Sequence, residues 1–126
     1  MNARLRAFAL VVGILWVSTS LSAHHSWPVN NSKLVTVTGT VTSVTWQNPH
    51  PMFSLDVTGS DGKTEKWSVG GPAITRMEAS GWNKSTLKPG DVITGTGYQF
   101  SDGQKIIRLE KVMLADGKEL LVYGRR

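Results

Sequence analysis

The stretch Leu34-Val-Thr-Val-Thr-Gly-Thr-Val-Thr-Ser-Val-Thr-Trp46 decides the fold. Valine and threonine alternate through it, as in a strand with one face on a core and one toward water. Val35, Val37, Gly39 and Val41 share one phase, whereas Val44 and Trp46 fall in the other. The change of phase near Thr42 and Ser43 predicts a β-bulge, and Gly39 predicts a bend. A long, bent first strand is what a small closed barrel requires.

Downstream, Phe53, Leu55 and Val57 alternate on a second strand, and Gly59-Ser60-Asp61-Gly62 is a strong turn signal. Trp67 and Val69 mark a third strand. Gly70-Gly71-Pro72 then leads into a helical stretch of at most two to three turns, with Ala73, Ile74 and Met77 on one face and Gly81 as C-terminal cap. The turn Leu87-Lys88-Pro89-Gly90-Asp91 opens a fourth strand over Val92–Phe100. Ser101-Asp102-Gly103 leads to a fifth over Lys105–Leu114, and Asp116-Gly117 to a short arm over Leu120–Tyr123. Three strands, a helix and two strands give the connectivity of a small OB-like barrel, closed or partly closed, mostly β, with the terminal hairpin arm added.

Upstream, Arg4 and Arg6 precede the apolar run Ala7–Val17 and the small polar residues Ser18–Ala23. This is the grammar of a secretory signal peptide over residues 1–23. The run is short for a membrane span, and none of comparable length follows, so no transmembrane helix is expected after cleavage. Residues 24–33 read as an extended arm and residues 34–126 as the single barrel domain. The expected location is the periplasm of a Gram-negative bacterium. Two cleavage sites compete. A cut after Ser22 places serine at −1 and −3, whereas a cut after Ala23 leaves His24 as the first residue.

The chain has 126 residues, 14 basic, nine acidic and no cysteine. The leader holds two of the basic residues and no acidic one, so the mature chain carries about +3 rather than +5. Its basic residues are scattered rather than gathered into a stripe interleaved with aromatics, and no nucleic-acid partner is expected. The lack of cysteine excludes thiolate metal sites and cysteine nucleophiles. No G-x-S-x-G elbow, P-loop or H-E-x-x-H motif is present, and no catalytic residue is assigned. The sequence reads as a binding protein before an enzyme, and no motif in it sets an oligomeric state. Asp56 and Glu65 read as solvated strand residues.

The three histidines are His24, His25 and His50. His50 sits between Pro49 and Pro51 in the loop after the first strand, where prolines restrict the backbone. A chain beginning at His24 offers its amino nitrogen and its ring as one chelate, and the His50 ring as a third nitrogen. Such a histidine brace suits copper. His25 is the substitute ligand and Met52 a weak axial one, while Trp27, Trp46 and Asn48 flank the site. Copper requires the neutral imidazole, so binding is expected to weaken in acid. Zinc through three histidines is a further possibility. The alternative is a metal-independent OB-type module that takes a small ligand, an oligosaccharide or a partner protein on Trp27, Trp46 and the His50 loop. Trp67, Trp82 and Tyr98 are further aromatic candidates, Trp67 being better suited to the core.

Ala23-His24-His25-Ser26, Gly39-Thr40-Val41, Trp46-Gln47-Asn48-Pro49-His50, Trp67, Gly81-Trp82 and Leu87-Lys88-Pro89-Gly90-Asp91 together resemble a family of small exported bacterial proteins defined only as a domain of unknown function. The resemblance spans essentially the whole mature chain. It implies a leader ending directly before His24-His25-Ser26, which favours cleavage after Ala23. Similar sequences commonly carry an acidic residue where this chain has Gly70. The resemblance supplies no activity.

Overall fold

The structure, a computed structural model, describes residues 27–124. The elements are β1 (Val29–Thr45), β2 (Met52–Thr58), β3 (Thr64–Gly70), α1 (Ile74–Ala79), β4 (Val92–Phe100), β5 (Ile106–Leu114) and β6 (Glu119–Leu121). The fold is mostly β and OB-like. β1 pairs antiparallel with β2 on one side and β4 on the other. β2 pairs with β3, β4 with β5, and a short parallel match of β3 with β5 closes the five strands into a ring. β5 thus serves two neighbours on one edge: β3 along Ile106–Arg108, and β6 along Lys111–Met113.

The Val–Thr alternation of β1 is the physical basis of this arrangement. Val37 and Val41 are buried, while Thr36 and Thr38 face outward and meet Thr96 and Thr94 of β4 through hydroxyl pairs of 3.1 and 2.8 Å. Such cross-strand pairs each contribute a few tenths of a kcal/mol, about 0.2–1. The register against β2 shifts between Val41 and Ser43, at the bulge inferred from the change of phase. Gly39 approaches β2 so closely that a Cβ there would lie 2.6 Å from the Asp56 carbonyl oxygen.

The core gathers Phe53, Leu55, Val69, Ile93, Ile107, Leu109 and Val112 inside the ring, with Met77 and Leu87 also buried. α1 is short; Met77 is its buried residue, and Gly81 beyond it takes φ +91°. Trp82 departs from its expected role as a surface aromatic. It is 3% exposed, its ring centroid lies 6.0 Å from that of Phe53, and its Nε1–H donates to the Leu121 carbonyl at 2.9 Å. Trp67 is partly buried and packs against the core.

Two boundaries differ from those read in the sequence. β1 begins at Val29, five residues before Leu34, because Val29 pairs with Phe100 despite the polar run that follows it. A register shift between Val29 and Leu34 absorbs the intervening residues. β6 covers Glu119–Leu121 and stops before Tyr123, since Val122 turns into the core while its N–H reaches the Glu110 carbonyl. Asp56 on β2 and Glu65 on β3 are solvated, paired with Lys66 at 2.9 Å and Lys105 at 2.8 Å. Among the described residues no helix is long and apolar enough to cross a membrane.

Candidate functional site

The loop after β1 carries His50 on a constrained backbone. The Asn48–Pro49 peptide is cis, and Pro51 is fully buried. The Pro51 carbonyl accepts from the Gly71 N–H at 3.1 Å, which ties the loop to the segment ahead of α1. The half-buried His50 ring is fixed from two sides. Its Nδ1 lies 3.1 Å from the Gly71 carbonyl oxygen, and its centroid lies 4.5 Å from the Trp27 ring. A carbonyl can only accept, so Nδ1 carries the hydrogen, and in the neutral ring Nε2 keeps its lone pair.

Trp27 is itself held. Its ring meets Phe100 edge-on at 5.5 Å. The next carbonyl, that of Pro28, accepts from both the N–H and the hydroxyl of Ser101, at 2.8 and 2.9 Å. Trp27, Pro28, Pro49, His50, Met52, Phe100 and Ile106 line a largely apolar groove of about 390 Å³.

The groove depends on Gly70. A Cβ at that position would run into the Met52 sulfur and would lie 2.8 Å from the edge of the Trp27 ring. An acidic side chain there is incompatible with Trp27 and Met52 in these seats. Glycine in this chain is what lets the arm lie flat over β3.

The residues singled out from the sequence therefore separate. Trp27, His50 and Met52 share the groove. Trp46 packs against the core instead. Asn48 accepts the Ile74 N–H at 3.2 Å and so braces the start of α1. His24 and His25 lie outside the described residues. Among the described residues no group of three histidine, cysteine, aspartate or glutamate side chains is placed to hold a metal ion. Sequence reading missed Phe100 and Ile106. Each sits at a strand end beside a turn, where alternation alone does not tell a groove wall from a solvated residue.

A second recess lies beside the first. Arg76 of α1, Tyr98 of β4, Arg108 and Glu110 of β5, and Tyr123 after β6 line a polar cleft of about 630 Å³, with Asn31 at its margin. The Arg108 guanidinium lies 5.2 Å from the Tyr98 ring, and Arg76 lies 5.5 Å from the Tyr123 ring. Burial pushes the Tyr123 hydroxyl above its usual pKa, so it stays protonated at neutral pH.

The likeness to solved structures agrees with the barrel. The chain is similar to the mitochondrial single-stranded DNA binding protein Rim1 of S. cerevisiae, with 10% identity, a TM-score of 0.51, and 66% of this chain and 93% of that chain covered. It is also similar to a ZRD-deleted mutant of TiaS in complex with agmatine, with 19% identity and a TM-score of 0.53. That match covers 78% of this chain and only 29% of the TiaS chain. At these identities the likeness establishes the fold alone. No curated protein matches the sequence. A family model matches residues 12–107, and the chain belongs to that family, a family of unknown function (DUF6152).

Proposed function

We propose that this is an exported copper-binding protein in which a mature chain beginning at His24 supplies its amino nitrogen and ring, and His50 supplies the third nitrogen. The observation that carries this reading is the fixed ring of His50. Histidines that ligate metals generally donate their other ring N–H to a carbonyl or carboxylate, which sets ring orientation and tautomer. His50 Nδ1 faces the Gly71 carbonyl in this manner.

Trp27 adds a tether. It touches His50, and His25 and His24 precede it by two and three residues in the chain. Met52 in the same groove supplies a soft thioether as an axial ligand.

The test uses protein purified from the exported fraction, with its first residue established by intact mass. A chain starting at His24 is expected to bind one Cu(II) in calorimetry and to give a nitrogen-rich EPR signal. A chain starting at Ala23 is expected to bind more weakly, since its amino group no longer belongs to His24. Absence of Cu(II) binding by the His24 form overturns the proposal.

A second reading has its own support. The groove walls are mostly apolar: Trp27, Pro28, Phe100 and Ile106. A metal-independent module would take a small ligand, an oligosaccharide or a partner protein here, with binding unchanged by a chelator.

A further inference from the structure

The polar cleft has an unbalanced set of charges. Arg108 donates through Nη2 to Glu110 at 3.2 Å and to Asn31 at 3.3 Å, while its Nε is buried and without a protein partner. Arg76 has no carboxylate partner among the described residues. Two guanidiniums thus face one carboxylate, and among the described residues the cleft lining carries a net single positive charge. A buried guanidinium N–H left unpaired is destabilising, and an acceptor arriving from outside would offset this.

Strand geometry joins the cleft to the groove. Tyr98 and Phe100 are two apart on β4, and Arg108 and Ile106 are two apart on β5, so each pair projects to the same outer side. Phe100 and Ile106 are walls of the apolar groove, and Arg108 pairs in register with Gly70, the residue beneath Trp27. The Cα atoms of Arg108 and Ile106 are therefore about 7 Å apart along β5.

We propose that the two recesses form one binding surface for a small amphipathic monocarboxylate, its carboxylate held by Arg108 and Arg76 and its apolar body laid on Ile106, Phe100 and Trp27. A planar carboxylate matches the guanidinium fork. A single negative charge balances the cleft, whereas a doubly charged phosphate would leave it net negative. The Tyr123 hydroxyl adds a neutral donor at the rim. This site does not require metal at His50.

The probe is 3-phenylpropionate, titrated into chelator-treated mature protein and followed by the aromatic NMR signals of Tyr98, Phe100 and Tyr123. Saturable shifts are expected, with 3-phenylpropan-1-ol and inorganic phosphate each binding at least about tenfold more weakly. Arg108→Lys keeps the charge but loses the fork and is expected to weaken binding by about fivefold or more. Arg108 is half-buried, so Arg76→Gln provides the second variant. Arg76 lies on the exposed side of α1 and loses only its contact with the Tyr123 ring, so the change should lower the melting temperature by only a few degrees, about 5 °C or less, and binding is expected to fall about threefold or more. No saturable shift, equal binding of the alcohol or of phosphate, or unchanged affinity in the folded Arg76→Gln protein would each overturn the proposal.

Discussion

The groove and the cleft lie side by side on the outer face of β4 and β5, yet they are built in opposite ways. The groove is apolar and owes its shape to an arm from outside the barrel: Trp27 seated over Gly70 and against His50 and Phe100. The cleft is charged and made by the barrel strands with α1 and the residues after β6. A recess made by a docked arm can be removed without unfolding the barrel. One made between strands cannot. The difference teaches that the two recesses should respond separately to mutation.

The largest separation is expected from His50→Ala. Loss of this ring should reduce Cu(II) affinity by about two orders of magnitude, near 3 kcal/mol, while the cleft keeps its carboxylate affinity. Calorimetry with each ligand on the same preparation checks both halves, and equal losses would collapse the distinction. Gly70→Val comes next. Its methyl groups collide with the seats of Met52 and Trp27, at an expected stability loss of about 2 kcal/mol in denaturant unfolding. Its Trp27 amide and indole signals should move toward those of an undocked arm.

Trp27→Ala is milder. It removes two aromatic contacts, together worth about 1.5 kcal/mol, while opening the groove. Retention of the far-UV dichroism spectrum, with loss of Phe100 and His50 shift dispersion, is the expected signature. The smallest effect is expected at Asp91, remote from both recesses. Its carboxylate accepts the Lys88 backbone N–H and meets the Lys88 ammonium, each at 3.0 Å, and both hold its pKa below the ordinary 3.8. A lowered folded pKa means that the stabilisation is present above the ordinary value and fades as acid protonates the folded carboxyl. Asp91→Ala should therefore cost about 1 kcal/mol at neutral pH and progressively less as the pH falls below the ordinary 3.8, in melts that leave both ligand sites unchanged.

The barrel was largely legible because its strands alternate cleanly. Val37 and Val41 against Thr36 and Thr38 announce a two-faced strand, and the phase change marks the bulge. The beginning of β1 was not legible. The run Asn30-Asn31-Ser32-Lys33 favours turns locally, and only pairing with Phe100 draws Val29 into a strand. At the groove, Trp27, His50 and Met52 could be named from composition and spacing. Gly70 was visible only as a departure from similar sequences, and its physical meaning needed the Trp27 ring above it. The cleft was hidden for another reason. Arg108 and Glu110 alternate with Ile107 and Leu109, which reveals that they point outward but not that α1 and Tyr123 stand over them.

The anchoring of the arm also bears on the order in which the molecule assembles. Pro28 is held by Ser101, 73 positions away in the chain, whereas hairpins such as β2 with β3 close over a handful of residues. Loop closure over so long a span is a late event in folding, paid only once nearer pairings exist. The groove is thus completed last and should also open first, with the arm exchanging its amide hydrogens before the ring of strands gives way. Whatever enters the groove meets a barrel already formed, and its binding will hold the arm down rather than direct the fold.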